Sequence, residues 1–136
     1  MKIFNAEKIK ELDKLTIETQ KITSLELMER AALQAFLWLV NHFHDKKTVY
    51  HIFCGVGNNG GDGLVIARML KQNYFEVHVY VVPFSEKFSN DFDSNLERLK
   101  ECNLTYEVIK ADSEFPDIAE NHIIIDAIFG IGLTRV

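Results

Sequence analysis

The residues with the most chemistry to offer lie in one short stretch. Asn58-Asn59-Gly60-Gly61-Asp62-Gly63 sets two carboxamides and a carboxylate among glycines. The stretch follows the apolar run Val49-Tyr50-His51-Ile52-Phe53-Cys54 and precedes Leu64-Val65-Ile66-Ala67-Arg68-Met69-Leu70, an order that predicts strand, loop and helix. Gly55, Gly57, Gly60, Gly61 and Gly63 crowd into nine positions, so the backbone is free to take positive φ and to approach a ligand without a Cβ in the way. A loop of this kind running into a helix start gathers unpaired N–H groups at the positive end of the helix dipole. Such a place suits a phosphate or pyrophosphate.

Two phosphate motifs come close without fitting. Gly55-Val56-Gly57-Asn58-Asn59-Gly60 satisfies G-x-G-x-x-G after a strand, but the dinucleotide fingerprint also asks for an acidic residue about 20 residues further on. The next strand runs instead into Val81-Val82-Pro83-Phe84. No Gly-Lys-Ser/Thr follows the loop, which excludes a P-loop. What sets the stretch apart is its oxygen donors. Asp62 stands either as the N-cap of a helix opening at Gly63, an ordinary turn residue, or with Asn58 and Asn59 as hard oxygen donors around a ligand. A carboxylate beside a phosphate repels it unless a cation or several hydrogen bonds intervene, so a metal ion is an expected companion.

A second constellation lies near the other end. Ile123-Ile124-Ile125-Asp126 reads as a strand, followed by Ala127-Ile128-Phe129-Gly130-Ile131-Gly132 as another glycine loop. In open parallel sheets ligands gather outside the carboxyl ends of the strands, so Asp126 and the loop at 55–63 are expected to face one crevice. A carboxylate among isoleucines is costly unless paired, protonated or bound to a cation. The plain alternative is a hydrogen bond from Asp126 to backbone amides of the Gly130 loop.

The elements that must position these groups are legible in outline. Residues 5–20 read as a helix capped by Asn5, with Ile9, Leu12, Thr16 and Thr19 on one side. Thr23-Ser24-Leu25-Glu26 is a capping box, predicting a second helix from about Ser24 to Phe43. That helix is apolar nearly all round, with Leu33, Leu37 and Trp38 off its main face. It is expected to lie between the sheet and the first helix, a homodimer interface being the alternative. Phe75–Val82 and Leu104–Ile109 read as strands flanking a helix that starts at Ser89-Asn90-Asp91 and runs to Cys102. Strands alternating with helices predict an α/β domain with a parallel sheet. His51, His78 and His122 fall in strands without ligand spacing and are expected to be packed or edge histidines.

Composition bounds the rest. The 136 residues are enough for one domain, and 47% apolar with 26% charged residues is ordinary for a globular chain. A net charge of −5 with scattered bases argues against nucleic acid as a partner. The two cysteines, Cys54 and Cys102, have no metal-finger spacing and are expected as buried free thiols. No signal-peptide pattern and no long apolar run is present, so no membrane span and a cytoplasmic setting are expected.

Gly57-Asn58-Asn59-Gly60-Gly61-Asp62-Gly63-Leu64-Val65-Ile66-Ala67-Arg68, with Asp126 to Gly132 downstream, resembles the YjeF N-terminal domain family, the NAD(P)HX epimerases. The Asp13 segment and Ile22 to Ala31 are similar to that family's opening helices. The resemblance implies a Rossmann-like three-layer domain over 1–136, with a mostly parallel sheet and two N-terminal helices. It implies an isomerase of nicotinamide nucleotide repair that interconverts the R and S epimers of hydrated NADH and NADPH, NADHX and NADPHX. A dehydratase, often fused at the C-terminus, is the implied partner. Carried over by position, Asn58, Asn59, Gly60, Gly61 and Asp62 contact substrate, and Gly130, Ile131, Gly132, Leu133, Thr134, Arg135 and Val136 form a second substrate loop. Asn59 and Asp126 bind a potassium ion, and Asp62 is the candidate acid/base. The family's domain continues with further strands, including an Asp-Ile-Pro-Ser-Gly-like segment, so the resemblance also implies truncation at the C-terminus. Enhancer-of-decapping and apolipoprotein-binding relatives use the same fold as a binding or dimerisation module; the intact Asn-Asn-Gly-Gly-Asp with Asp126 favours the enzyme.

Overall fold

A computed structural model describes residues 14–15 and 23–129. The helix expected over 5–20, apart from the helical pair Lys14 and Leu15, and the loop from Gly130 to Val136 lie outside those residues. The described elements are, in order, α1 (Ser24–His42), β1 (Val49–Cys54), α2 (Asn58–Gln72), β2 (Glu76–Val81), α3 (Asn90–Glu101), β3 (Tyr106–Val108) and β4 (Ile123–Ala127). Every strand pair is parallel, and the sheet order is β3-β2-β1-β4. The chain therefore winds outward from β1 to β3 and then crosses back to the far side of β1. That reversal makes the carboxyl ends of β1 and β4 a topological switch point, where open α/β sheets bind ligands.

Local chemistry accounts for most boundaries. Thr23 is extended and its Oγ1 accepts the N–H of Glu26 at 3.1 Å, starting α1 as the capping box predicts. Ser89 Oγ does the same for Phe92 N at 3.1 Å and starts α3. β1 is central and its residues Tyr50 to Cys54 are all buried. Tyr50, Ile52 and Cys54, with Val77, Val79 and Val81 of β2, meet Leu64 and Leu70 of α2 and Phe92, Leu96 and Leu99 of α3 in the main core. Phe53, Tyr80 and Ile109 form a smaller cluster on the opposite face, joined there by Ile118, with the Phe53 ring stacked on Tyr80 and Phe115. Among the described residues, helices thus cover one face of the sheet, and the segment between β3 and β4 packs on the other.

Two expectations change. The first concerns α1, which packs chiefly on α2, burying Met28, Ala32, Phe36 and Leu39, instead of lying flat on the sheet. Glu29 helps hold it there, paired with Arg68 of α2 and, at 3.1 Å, with Arg98 of α3. Leu33, Leu37 and Trp38 are 41%, 43% and 55% exposed. The second concerns His122, which does not lie in a strand; the histidines are packed, as expected, and are also joined to one another. His51, buried at the centre of the second face, has Nδ1 2.9 Å from the Tyr80 hydroxyl and Nε2 2.9 Å from Nδ1 of His122, and its ring stacks on His78 at 4.9 Å. His78 Nε2 in turn lies 2.8 Å from Glu76 Oε2. His122 precedes β4 instead of lying in it. No described helix is long and apolar enough to cross a membrane.

Candidate nucleotide site at the switch point

Where β1 ends, the chain is clamped from both sides. Gly55 N donates to Ala127 O of β4 at 3.0 Å, and Val82 N, just past β2, donates to Cys54 O at 2.8 Å. A Cβ on Gly55 would stand 2.2 Å from Ile128 O and 2.7 Å from Cε1 of Phe84, so no side chain fits there.

The helix then opens earlier than the sequence suggests. α2 begins at Asn58, with Gly57 as an extended N-cap (φ −96°, ψ −165°), and Gly61 N already donates to Gly57 O at 3.0 Å. Asp62 is consequently a half-buried residue in the second turn and not the cap of a helix opening at Gly63. The glycines also serve a different purpose from the one expected, since no described glycine has positive φ. They make room. A Cβ on Gly60 would lie 1.8 Å from Gly55 O, and one on Gly63 would lie 2.7 Å from Ala127 Cβ and 2.9 Å from Cys54 Sγ. The absence of those side chains lets the start of α2 press against the Gly55 turn and β4.

The consequence is electrostatic. α1 has Thr23 as cap and Glu26 in its first turn, and α3 has Ser89 as cap and Asp91 and Asp93 in its first turn. α2 has no side-chain cap and no acidic residue in its first turn. The amides of Asn58, Asn59 and Gly60 have no carbonyl behind them in the helix, and no acidic side chain of the first turn offsets the dipole's positive end. The arrangement can hold an anion at the carboxyl end of β1.

Asp126 reaches the same end of the sheet from β4, in register with Phe53 of β1. Ala127 faces α2, so Asp126 points to the opposite face, where it is exposed and its Oδ1 accepts Ile128 N at 3.1 Å. This is the plain backbone bond of the sequence alternatives. The expected cost of a carboxylate among isoleucines does not arise, because the strand's outward residues reach solvent. Asn58 is exposed and Asn59 half-buried. The fold thus brings Asn58, Asn59, Gly60, Gly61 and Asp62 to the end of β1, and Asp126 to the adjacent end of β4. Gly130, Ile131, Gly132, Leu133, Thr134, Arg135 and Val136 lie outside the described residues.

With this geometry in view, comparison with known proteins is decisive on family. A family model described as YjeF-related protein N-terminus matches residues 24–136. The chain belongs to that family. The NAD(P)H-hydrate epimerase of Anaerococcus prevotii is 39% identical over 142 residues, an alignment covering 99% of this chain and 62% of that protein. The bifunctional NAD(P)H-hydrate repair enzyme Nnr of Dictyoglomus turgidum is 33% identical, with 99% of this chain and 26% of that protein covered. The crystal structure of yeast ynu0 shares the fold, with a TM-score of 0.76 at 24% identity over 100% of this chain and 60% of that one. The chain spans about three fifths of the length of the epimerases it matches, 62%, 65% and 64% for three of them.

In this YjeF-related chain one neighbour of the site escaped sequence reasoning. Phe84 lies against Gly55 and its ring centroid is 5.1 Å from that of Phe129, so an aromatic pair spans the gap between the ends of β2 and β4. Its sequence signal is Pro83-Phe84 at the end of a strand, in the place that a ribose carboxylate takes in the dinucleotide fingerprint. Cys54 is fully buried, and burial pushes its thiol pKa far up, so it stays protonated and takes no nucleophilic part.

Proposed function

We propose that the chain is a NAD(P)H-hydrate epimerase domain that interconverts the R and S epimers of hydrated NADH and NADPH. The relatives that match it over nearly its whole length carry that name. The structural observation behind the reading is the start of α2 at the switch point, without a side-chain cap or a first-turn acid, with Asp126 at the adjacent end of β4. The substrate's pyrophosphate sits on the amides of Asn58, Asn59 and Gly60, with Gly61 and Asp62 further along the same contact and residues 130–136 as a second substrate loop.

Epimerisation inverts the carbon that bears the added hydroxyl. The hydroxyl leaves as water with a proton supplied to it, and water returns on the opposite face while the proton goes back. Nothing is oxidised or reduced. Asp62, half-buried beside the cradle, is the side chain to give and recover that proton. Asn59 and Asp126 are the residues that would hold a companion potassium ion. Their carboxamide and solvent-reached carboxylate are oxygen donors of the kind a hard cation takes. Bound there, the ion would supply positive charge to offset that of the substrate's phosphates. A dehydratase acting on one epimer is the partner this reaction serves, in keeping with the bifunctional name of the Dictyoglomus turgidum relative.

The test is epimer interconversion of NADPHX in potassium buffer, resolved by chromatography. It is run with this chain and with a form extended by the C-terminal part of the Anaerococcus prevotii epimerase. Faster approach to epimer equilibrium is expected. An uncatalysed rate with both folded proteins overturns the reading.

A further inference from the structure

Residues 110–122 leave β3 and cross the second face of the sheet to reach β4. Apart from one turn of 3-10 helix, Asp112–Glu114, this strap has no regular structure, and none of its residues is buried. Phe115, Ile118 and His122 tie it to the sheet. Phe115 stacks on Phe53 at 5.5 Å, Ile118 packs on the cluster of Phe53 and Tyr80, and His122 meets His51 at the far end. Phe115 is still 42% exposed, so apolar contact alone holds the strap weakly. The histidine contact is the anchor that responds to pH.

His122 Nδ1 lies 2.9 Å from His51 Nε2, so the facing nitrogens share a single hydrogen, one ring donating and the other accepting. A first added proton leaves that bond intact, because it goes to a ring nitrogen that faces away. A second proton puts an N–H and a positive charge on both sides of the gap, and the two rings must part. His51 is buried, with the Tyr80 hydroxyl 2.9 Å from its other nitrogen, and is held in place. His122 is only half-buried and is the ring free to move. The surrounding charges set the pH. On β2, His78 stacks on His51 and is bonded to Glu76, and Glu107 of β3 acts on Tyr80. The acidic residue on this face of β4, Asp126, is in register with Phe53 and not with His51. The acids of the strap, Asp112, Glu114, Asp117 and Glu120, are exposed. Burial, His78 and His122 press His51 toward its neutral form, and Glu76 opposes them.

We propose that the His51–His122 contact is an acid-released latch that fastens the 110–122 strap over the second face of the sheet. It is closed while at most one of the two imidazoles is charged and opens when both are. The strap runs directly into β4, so release frees the approach to the strand that carries Asp126. The latch lies on the face away from α2 and does not depend on the anion site.

Nuclear magnetic resonance of the chain between about pH 8 and about pH 5 tests the latch. It reads the ring contact of Phe115 with Phe53 against that of Tyr50 with Phe75 in the main core, whose centroids are 5.6 Å apart. The Phe115–Phe53 contact is expected to be lost below pH 6.5, the ordinary histidine value, while Tyr50–Phe75 persists. His122→Gln, whose amide stays neutral and can accept from or donate to His51, is expected to keep the contact at the lowest pH. His78→Gln removes an imidazole that disfavours charge on His51 and is expected to raise the pH of release. A contact that persists at about pH 5 in the unaltered chain, or is lost at the same pH in His122→Gln, overturns the latch. So does joint loss of both ring contacts, which marks general acid unfolding. If His122→Gln does not fold, His78→Gln decides, and a release pH unchanged or lowered overturns the proposal.

Discussion

Replacing Gly60 with alanine asks whether the glycines of α2 are there for space. The new Cβ would stand 1.8 Å from Gly55 O and 2.6 Å from Gly55 C. An ordinary carbon–oxygen contact is about 3.3 Å, so one side must give way by about 1.5 Å. Gly55 has little freedom to do so, being bonded to Ala127 O at 3.0 Å with Ile128 O already crowding its own Cβ position. Overpacking of this kind costs about 1–3 kcal/mol or more, against a gain of up to about 1 kcal/mol from alanine's helix preference. The net expectation is a loss of about 2 kcal/mol, read as a lower urea midpoint at unchanged slope. Gly61→Ala is the control. Its Cβ comes close only to the end of the Met28 side chain, at 2.9 Å, with Phe92 Cα at an ordinary 3.8 Å, so a change within about 0.5–1 kcal/mol of zero is expected. A Gly60→Ala protein as stable as Gly61→Ala would refute the close approach of α2 to the Gly55 turn.

Other expectations follow from the same geometry. Glu29→Gln leaves Arg68 and Arg98 facing each other without their shared carboxylate, and because the group is only partly buried a loss of about 1–2 kcal/mol in urea unfolding is expected. His51 is lowered from its ordinary pKa of 6.5, first by burial and then by His78 and His122, with Glu76 opposing. The folded chain then binds fewer protons than the unfolded one, so this contribution to stability is full above pH 6.5 and is lost as pH falls through the lowered value. Thermal midpoints should decline on acidification from pH 7 to pH 5, and His51→Gln should flatten that decline; an unchanged slope would contradict the assignment. Asp126 is exposed and bonded only locally, so Asp126→Ala should alter stability by less than about 0.5 kcal/mol in sodium buffer. It should also abolish any gain in melting temperature on exchanging sodium for potassium.

The parts of the fold that carry their own chemistry are readable in the chain. Thr23 with Glu26, Ser89, and the apolar runs at 49–54 and 123–125 mark α1, α3, β1 and β4, through local hydrogen bonds for the helices, continuous burial for β1 and a half-buried alternation for β4. The start of α2 is hidden because Asn58-Asn59-Gly60-Gly61-Asp62-Gly63 has poor helix propensity and reads as loop. It is helical through tertiary contact, Gly60 against Gly55 and Gly63 against Ala127 and Cys54, and those partners are distant or out of phase in sequence. The histidine row depends on strand register, His51 opposite His78, which no local pattern encodes. Asp126 was legible as a strand-end carboxylate, but the direction of its side chain follows from which face Ala127 takes against α2.

The central claim is that the amides opening α2 hold the pyrophosphate of a hydrated nicotinamide dinucleotide. Amide nuclear magnetic resonance shifts recorded while NADPHX is titrated into the chain test it most directly. The expected result is saturable movement of the Asn58, Asn59, Gly60 and Gly61 amides, lost in Gly60→Ala while Gly61→Ala retains it. Shifts confined to other parts of the chain, or none at all in the folded protein, would contradict the claim.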